Sequence, residues 1–200
     1  MYRRDDARTT LDRPLPVPPE AREFGGFRAW AASRAFPEHG RVDFLDGDLE
    51  VDMSPEDLYT HGAVKAEIAA SLQILVARAG RGSVFIDRGR LSSPEARLSA
   101  EPDVVVILWE SVESGRVREI PARGGGRDRF IEIEGGADLV VEIVSDGSVT
   151  KDNRRLPALY AKAGVRELWR VDARGPEMRF EVLALEGDTY RAIEADRDGF

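Results

Sequence analysis

Apolar residues along this chain change their spacing several times, and each change marks an element. Between Val42 and Met53 the period is two. Val42 and Phe44, then Leu49, Val51 and Met53, alternate with polar residues on either side of Asp46-Gly47. That pattern predicts a β-hairpin closed by a two-residue turn. Beyond it the period becomes helical: Val64, Ile68, Leu72, Leu75 and Val76 form one stripe, and Gly80 lies past its end. Ser54 reads as the cap, Pro55 as the first helical residue and Asp57 as its capping-box partner, so the predicted helix runs over 55–79. A shorter amphipathic helix is predicted over 20–36, with Phe24, Phe27, Trp30, Ala31 and Ala35 on its apolar side despite the Gly25-Gly26 pair.

Two stretches lose all alternation. Asp103–Leu108, apolar after its first residue, and Leu139–Val144 are nearly continuous apolar runs of strand length. In the second, Leu139, Val141 and Ile143 face one way, and Val140 and Val144 the other. A strand apolar on both faces is central and covered on both sides. Glu142 stands in the middle of that run. An unpaired carboxylate there costs several kcal/mol, roughly, so it is protonated, paired with a base such as Arg170, or bound to a cation.

The run leads into Asp146-Gly147, a turn, then Ser148 or Thr150 as a cap, with Asp152 suited to a first helical turn. Leu156, Leu159, Tyr160 and Ala163 keep helical spacing up to Gly164. Pro157 delays or bends that helix. Further strands are predicted at Ser83–Asp87, around Phe130, Ile131 and Ile133, and at Glu167–Val171. A hairpin arm with a loop is expected over 88–100, and a last hairpin over 177–193. The sum is an α/β fold (α+β, mixed sheet). Its curved sheet carries the 55–79 helix on one face and a 152–163 helix on the other. Residues 1–20, with four prolines, read as an extended arm; 21–200 form a single domain, and the Gly-rich 110–137 is a flexible insertion or hairpin.

Composition narrows the chemistry. Two hundred residues suit one domain, and the absence of cysteine excludes disulfides and thiolate metal sites. With two histidines, any metal is expected to be a hard cation held by carboxylates. The net charge of −8 argues against wholesale nucleic-acid binding but leaves room for a local basic groove. The first 20 residues lack a secretory apolar stretch, and no apolar run reaches the roughly 18 residues that span a bilayer. A cytoplasmic protein with no membrane contact is expected.

Asp103, at the head of one buried strand, and Glu142, inside another, could share one divalent cation if the strands are neighbours, about 4.8 Å apart. Such an ion lowers the pKa of bound water and stabilises charge developing on a phosphate. Five arginines, Arg116, Arg118, Arg123, Arg127 and Arg129, could add a phosphate-binding flap or simply solubilise a loop.

Glu101-Pro102-Asp103, the downstream Glu142-Ile143-Val144-Ser145, and the segment LYAKAGVRELWRVD resemble the PD-(D/E)XK nuclease superfamily, and within it the Uma-type family of restriction endonucleases. The resemblance covers most of the chain. It implies a restriction-endonuclease-like core and makes Asp103 and Glu142 catalytic metal ligands for Mg²⁺ or Mn²⁺, with Glu101 and His61 as outer-shell groups. The superfamily's lysine position, two residues after the acid, holds Val144, and the Uma-type position on the next helix holds Leu156. Lys151 is the nearest substitute and is assigned the catalytic role; Lys162 is placed with Arg127 and Arg129 among phosphate-binding residues. The implied function is metal-dependent endonucleolytic hydrolysis of phosphodiesters, with DNA as partner and a homodimer as assembly. A catalytically degenerate nuclease fold serving as a binding or assembly module is the alternative, and a Mg²⁺ phosphohydrolase acting on a small substrate is a third.

Overall fold

The structure is a computed structural model that describes residues 15–122 and 129–194. Most of the predicted arm, and Arg123 and Arg127 of the predicted flap, lie outside the described residues. The strands are β1 Arg41–Leu45, β2 Asp48–Asp52, β3 Gly82–Ile86, β4 Arg90–Ser93, β5 Leu98–Ala100, β6 Val104–Leu108, β7 Val117–Pro121, β8 Phe130–Gly135, β9 Leu139–Ile143, β10 Glu167–Asp172, β11 Arg179–Glu186 and β12 Thr189–Ala192. The α-helices are α1 Phe24–Ala31, α2 Val64–Leu72, α3 Trp109–Glu113 and α4 Leu156–Ala163. Among the described residues no helix is long and apolar enough to cross a membrane.

Where one sheet was expected there are two, each of six strands. The first has the order β2-β1-β5-β4-β8-β7 and the second β12-β11-β10-β9-β6-β3. Both are mixed: β4 with β8 and β9 with β10 are parallel, and the other pairs antiparallel. The 42–53 hairpin forms as predicted, with Asp46 and Gly47 both at positive φ and Leu45 opposite Asp48. The 88–100 segment is not an arm of β3. It makes its own β4–β5 hairpin, because β3 pairs instead with β6. The described part of the 110–137 insertion is ordered as α3 and the β7–β8 hairpin, which extends the first sheet beside β4.

Each face of the second sheet has its own cover. Val104, Val106, Val141 and Ile143 pack against Leu72 and Val76, with Val64 and Ile68 partly buried beside them. The opposite face presents Val105, Ile107, Val140 and Leu168 to Leu156 and Tyr160 of α4, and to Leu45, Leu91 and Leu98 of the first sheet. The outer face of the first sheet is closed by α1, where Phe27 and Trp30 meet Val42 and Phe44. Gly26 is required there, since a Cβ would stand 1.9 Å from the Glu20 carbonyl oxygen.

Two helix starts differ from expectation. Ser54 and Pro55 stay outside the helix, which begins at Leu58, where the Asp57 carboxylate accepts from the Tyr59 and Thr60 amides. Wider π-type turns over Leu58–Ala63 and Gln73–Ala77 flank α2. A similar turn over Lys151–Arg155 precedes α4. Pro157 then falls in the first turn of α4, where a missing amide hydrogen is tolerated, so the regular helix starts late. Gly164 then ends α4 at φ 77°, as predicted.

Candidate active site

Val104 of β6 lies opposite Val141 of β9, so the next opposed pair along the ladder is Asp103 and Glu142. Directly opposed residues share a face. That face is the one covered by α4 and the first sheet. Strand β1 closes the cluster from above. Its Val42 and Phe44 enter the aromatic core under α1, so by alternation Arg41 and Asp43 point the other way, toward the acids.

Asp103 is 1% exposed. Its Oδ2 accepts the Ile143 amide at 2.8 Å, and its Oδ1 accepts from Arg41 Nη2 at 2.8 Å. His61 Nε2 stands 3.4 Å from Oδ2. Burial pushes this carboxyl up, but the His61 hydrogen bond, the Arg41 charge and the Ile143 amide outweigh it and hold it well below the usual carboxylate range.

Glu142 has the opposite balance. It is fully buried, and burial, followed by the charges of Asp103 and Asp152, pushes its carboxyl well above the ordinary value. The Tyr160 hydroxyl donates to Oε1. Oε2 has no hydrogen-bond partner among the described residues. Arg170, the base considered as a partner for Glu142, lies beside it on β10 but turns to Glu181 at 2.6 Å.

Asp152 completes the cluster from the turn before α4. Ser148 Oγ donates to Oδ2, while Oδ1 is buried without a partner among the described residues. Burial is the main reason that its carboxyl is raised to about 6. Lys151, next to it in sequence, is also buried. Its Nζ lies 3.3 Å from Asp43 Oδ2. Burial alone would lower the ammonium; Asp43, Glu142 and Asp152 more than restore it, against the Arg41 charge. Val144, at the superfamily's lysine position, is buried and apolar, so the ammonium near these acids comes from the helix side.

At the rim, His61 lies between Asp103 and Glu56, with Nδ1 3.2 Å from Glu56 Oε2 but poorly aligned for a hydrogen bond. Burial lowers the imidazole and the Asp103 contacts raise it more, so it is held above its ordinary value. Lys65 bridges Glu56 at 2.9 Å and Asp87 at 2.6 Å. Glu101 pairs with Arg90, and its amide donates to Asp43 Oδ1 at 3.0 Å. A cavity of about 370 Å³ opens here, bounded among others by Arg41, Glu56, His61, Glu101 and Ser148. A smaller one of about 120 Å³ adjoins it, with Asp43 and Lys151 in its wall; Arg41 borders both.

The structure thus brings together Asp103, Glu142, Lys151 and His61, with Glu101 at the cavity wall. Lys162 and Arg129 are exposed elsewhere and border neither cavity; Arg127 is outside the described residues. Of the predicted flap, Arg116 pairs with Asp138 and Arg118 with Glu134. Sequence alone assigns no site role to Arg41, Asp43, Glu56 or Tyr160; Asp152 reads from it as a helix-start acid that matches an Asp of the Uma-type pattern.

The oxygen donors of this cluster are of the chemical kind that holds a hard divalent cation. Two buried carboxylate oxygens, Glu142 Oε2 and Asp152 Oδ1, lack partners in a cluster whose charges repel. All-oxygen donors suit such an ion. Ligand atoms of Glu56, His61 and Asp103 also lie within 4.8 Å of one another. In that grouping too a buried atom, His61 Nδ1, has no hydrogen-bond partner among the described residues, although it stands 3.2 Å from Glu56 Oε2.

A family model described as "Uma2: Putative restriction endonuclease" matches residues 26–199. Among solved structures, a putative nuclease belonging to DUF820 from Anabaena variabilis superposes with a TM-score of 0.57 at 16% identity, covering 78% of each chain. At that identity the likeness is one of fold. No curated protein matches.

Proposed function

The chain belongs to the Uma2 family, and from that premise we propose that it is a metal-dependent endonuclease that hydrolyses phosphodiester bonds in DNA, using Mg²⁺ or Mn²⁺. The observation that carries the reading is the pairing of Asp103 and Glu142 on facing positions of β6 and β9, with Glu142 Oε2 and Asp152 Oδ1 buried and unpartnered among the described residues. Asp103 and Glu142 would hold the ion, with the charge of Asp152 felt at Glu142. When bound, it supplies a Lewis acid that polarises the phosphate and acidifies water.

The remaining groups have roles that follow from their places. Lys151 puts a buried ammonium beside the acids, where it offsets negative charge growing on the phosphate. Tyr160 orients Glu142 through its hydroxyl. His61, whose imidazole the contacts with Asp103 and Glu56 raise above its ordinary value, lines the cavity and can give a proton to the leaving alkoxide when protonated. In the net reaction the oxygen of water joins phosphorus, one ester P–O bond breaks, and the proton leaves with the alcohol. A homodimer belongs to the proposal because cutting both strands requires two such sites.

The test is divalent-dependent nicking of plasmid DNA by the wild type, reduced roughly 10³-fold or more in Asp103→Ala and in Glu142→Ala. Undiminished nicking by either variant overturns the proposal. One observation favours a second reading, a nuclease fold kept as a binding or assembly module: Arg41 already occupies Asp103 Oδ1. Calorimetry separates the two, since the module binds no Mn²⁺ at millimolar metal.

A further inference from the structure

We infer that Arg41 is the resident cation of the acid cluster, that it and a divalent ion exclude each other at Asp103, and that the displaced guanidinium binds a phosphate of the substrate. The inference rests on the nuclease reading above and adds to it a phosphate-binding residue and the order in which the site is filled.

Asp103 has two oxygens to offer. Oδ2 is tied to the Ile143 backbone amide within the same sheet, and so cannot leave without disturbing the β6–β9 ladder. Oδ1 has no such backbone tie, and it is the atom that Arg41 Nη2 holds at 2.8 Å. Asp103, Glu142 and Asp43 together keep the guanidinium firmly charged despite burial. A second cation drawn to Glu142 Oε2 and Asp152 Oδ1 would face that charge across a dry cluster, where like charges repel strongly.

Arg41 also has somewhere to go. Its side chain is 21% exposed and borders both cavities, while its backbone stays fixed opposite Asp52 in the β1–β2 ladder. A guanidinium turned into the larger cavity presents a planar fork of donors, which matches two phosphate oxygens. Metal and phosphate then assist each other. The ion frees Arg41 for the phosphate, and the phosphate holds Arg41 away from the ion; binding linkage makes the two effects equal.

The experiment is calorimetric titration of Mn²⁺ into the wild type, Arg41→Met and Glu142→Ala, each with and without dimethyl phosphate, a phosphodiester too inert to be turned over. The expected result is at least tenfold tighter Mn²⁺ binding by Arg41→Met than by the wild type. Dimethyl phosphate tightens the wild type several-fold and leaves Arg41→Met unchanged. If Arg41→Met does not fold, Arg41→Gln carries the test, because its amide can still donate toward Asp103 but carries no charge; it should bind Mn²⁺ several-fold tighter than the wild type. Equal or weaker binding by the Arg41 variants, with binding lost in Glu142→Ala, overturns the role of Arg41 and leaves the ion site standing. No Mn²⁺ heat from any of the proteins removes the ion site, and with it the nuclease reading.

Discussion

Replacing Glu142 by Gln should make the ion-free protein more stable and the site inert. The side chain keeps its shape, and its Oε1 still accepts from the Tyr160 hydroxyl. What changes is Oε2, a buried oxygen with no partner among the described residues. In Gln an amide NH₂ stands there and can donate toward Asp103 or Asp152, the two carboxylates whose charges oppose that of Glu142. An unsatisfied buried polar group costs about 1–3 kcal/mol, so that is the expected gain at pH 8. For a chain of this size it raises the melting temperature by roughly 2–12 °C. The sign follows from linkage. The folded-state pKa of Glu142 lies above its ordinary 4.5, so the folded protein holds a proton that the unfolded chain releases, and stability falls as pH rises. The gain should therefore be larger at pH 8 than at pH 5, because it grows as pH rises above the ordinary glutamate value. Urea unfolding in EDTA at both pH values measures it, and Mn²⁺ titration of the same samples should show binding weakened by about 100-fold. A Glu142→Gln protein less stable than the wild type at pH 8 would refute the reasoning, because it would mean that the carboxylate is already well matched by its surroundings.

Three further outcomes are expected. The Asp152 carboxyl is raised from 3.8 to about 6, which is about 2 pH units at 1.36 kcal/mol each, so the ion-free wild type should lose up to about 3 kcal/mol relative to Asp152→Asn as pH climbs from about 4 to 6. Parallel stability curves for the two proteins across that window would discount the burial of Asp152. Lys151→Met should retain Mn²⁺ binding and lose about 100-fold or more in the rate of DNA nicking, and a rate within a few-fold of wild type would show that the ammonium has no part in the chemistry. Gly26→Ala should cost about 1–3 kcal/mol in thermal unfolding, because the new methyl meets the Glu20 carbonyl oxygen at 1.9 Å; an unchanged melting curve would show that this corner yields freely.

Much of the second sheet was legible. The runs at 104–108 and 139–143 lack polar alternation because both of their faces are covered, and that left Glu142 conspicuous. Their adjacency was not legible, since pairing between segments 30 or more residues apart leaves no local mark. The same reason hid the split into two sheets: β4 pairs with β8 across about 40 residues of chain. Strand β1 shows a different limit. A period of two tells which residues share a face, but not what covers that face. Nothing local marks Arg41 and Asp43, which lie against the acid cluster of the second sheet. At the start of the long helix, Ser54 and Asp57 both had cap chemistry, and Asp57 prevails because its carboxylate reaches two amides while Ser54 bonds Asp52.

The chain contains its own comparison for what a purely structural buried acid looks like. Asp138 stands just before β9 and is also buried. Its Oδ2 accepts the Leu108 amide at 2.7 Å; its Oδ1 accepts from the Ser111 hydroxyl at 2.8 Å and from Arg116, with Arg166 at 3.3 Å. Both oxygens are satisfied, and the network joins α3 to the end of β9. A few residues further along, on the same strand, Glu142 leaves an oxygen unmatched, and Asp152 beside it does the same. Local sequence could have closed that cluster as it closed the first, for Arg170 sits next to Glu142 on β10 and is spent instead on Glu181. Two open carboxylate oxygens and mutually repelling charges destabilise the ion-free fold. A ligand that binds only the folded form offsets that loss by mass action, and a doubly charged cation is the kind of species that buried carboxylate oxygens attract.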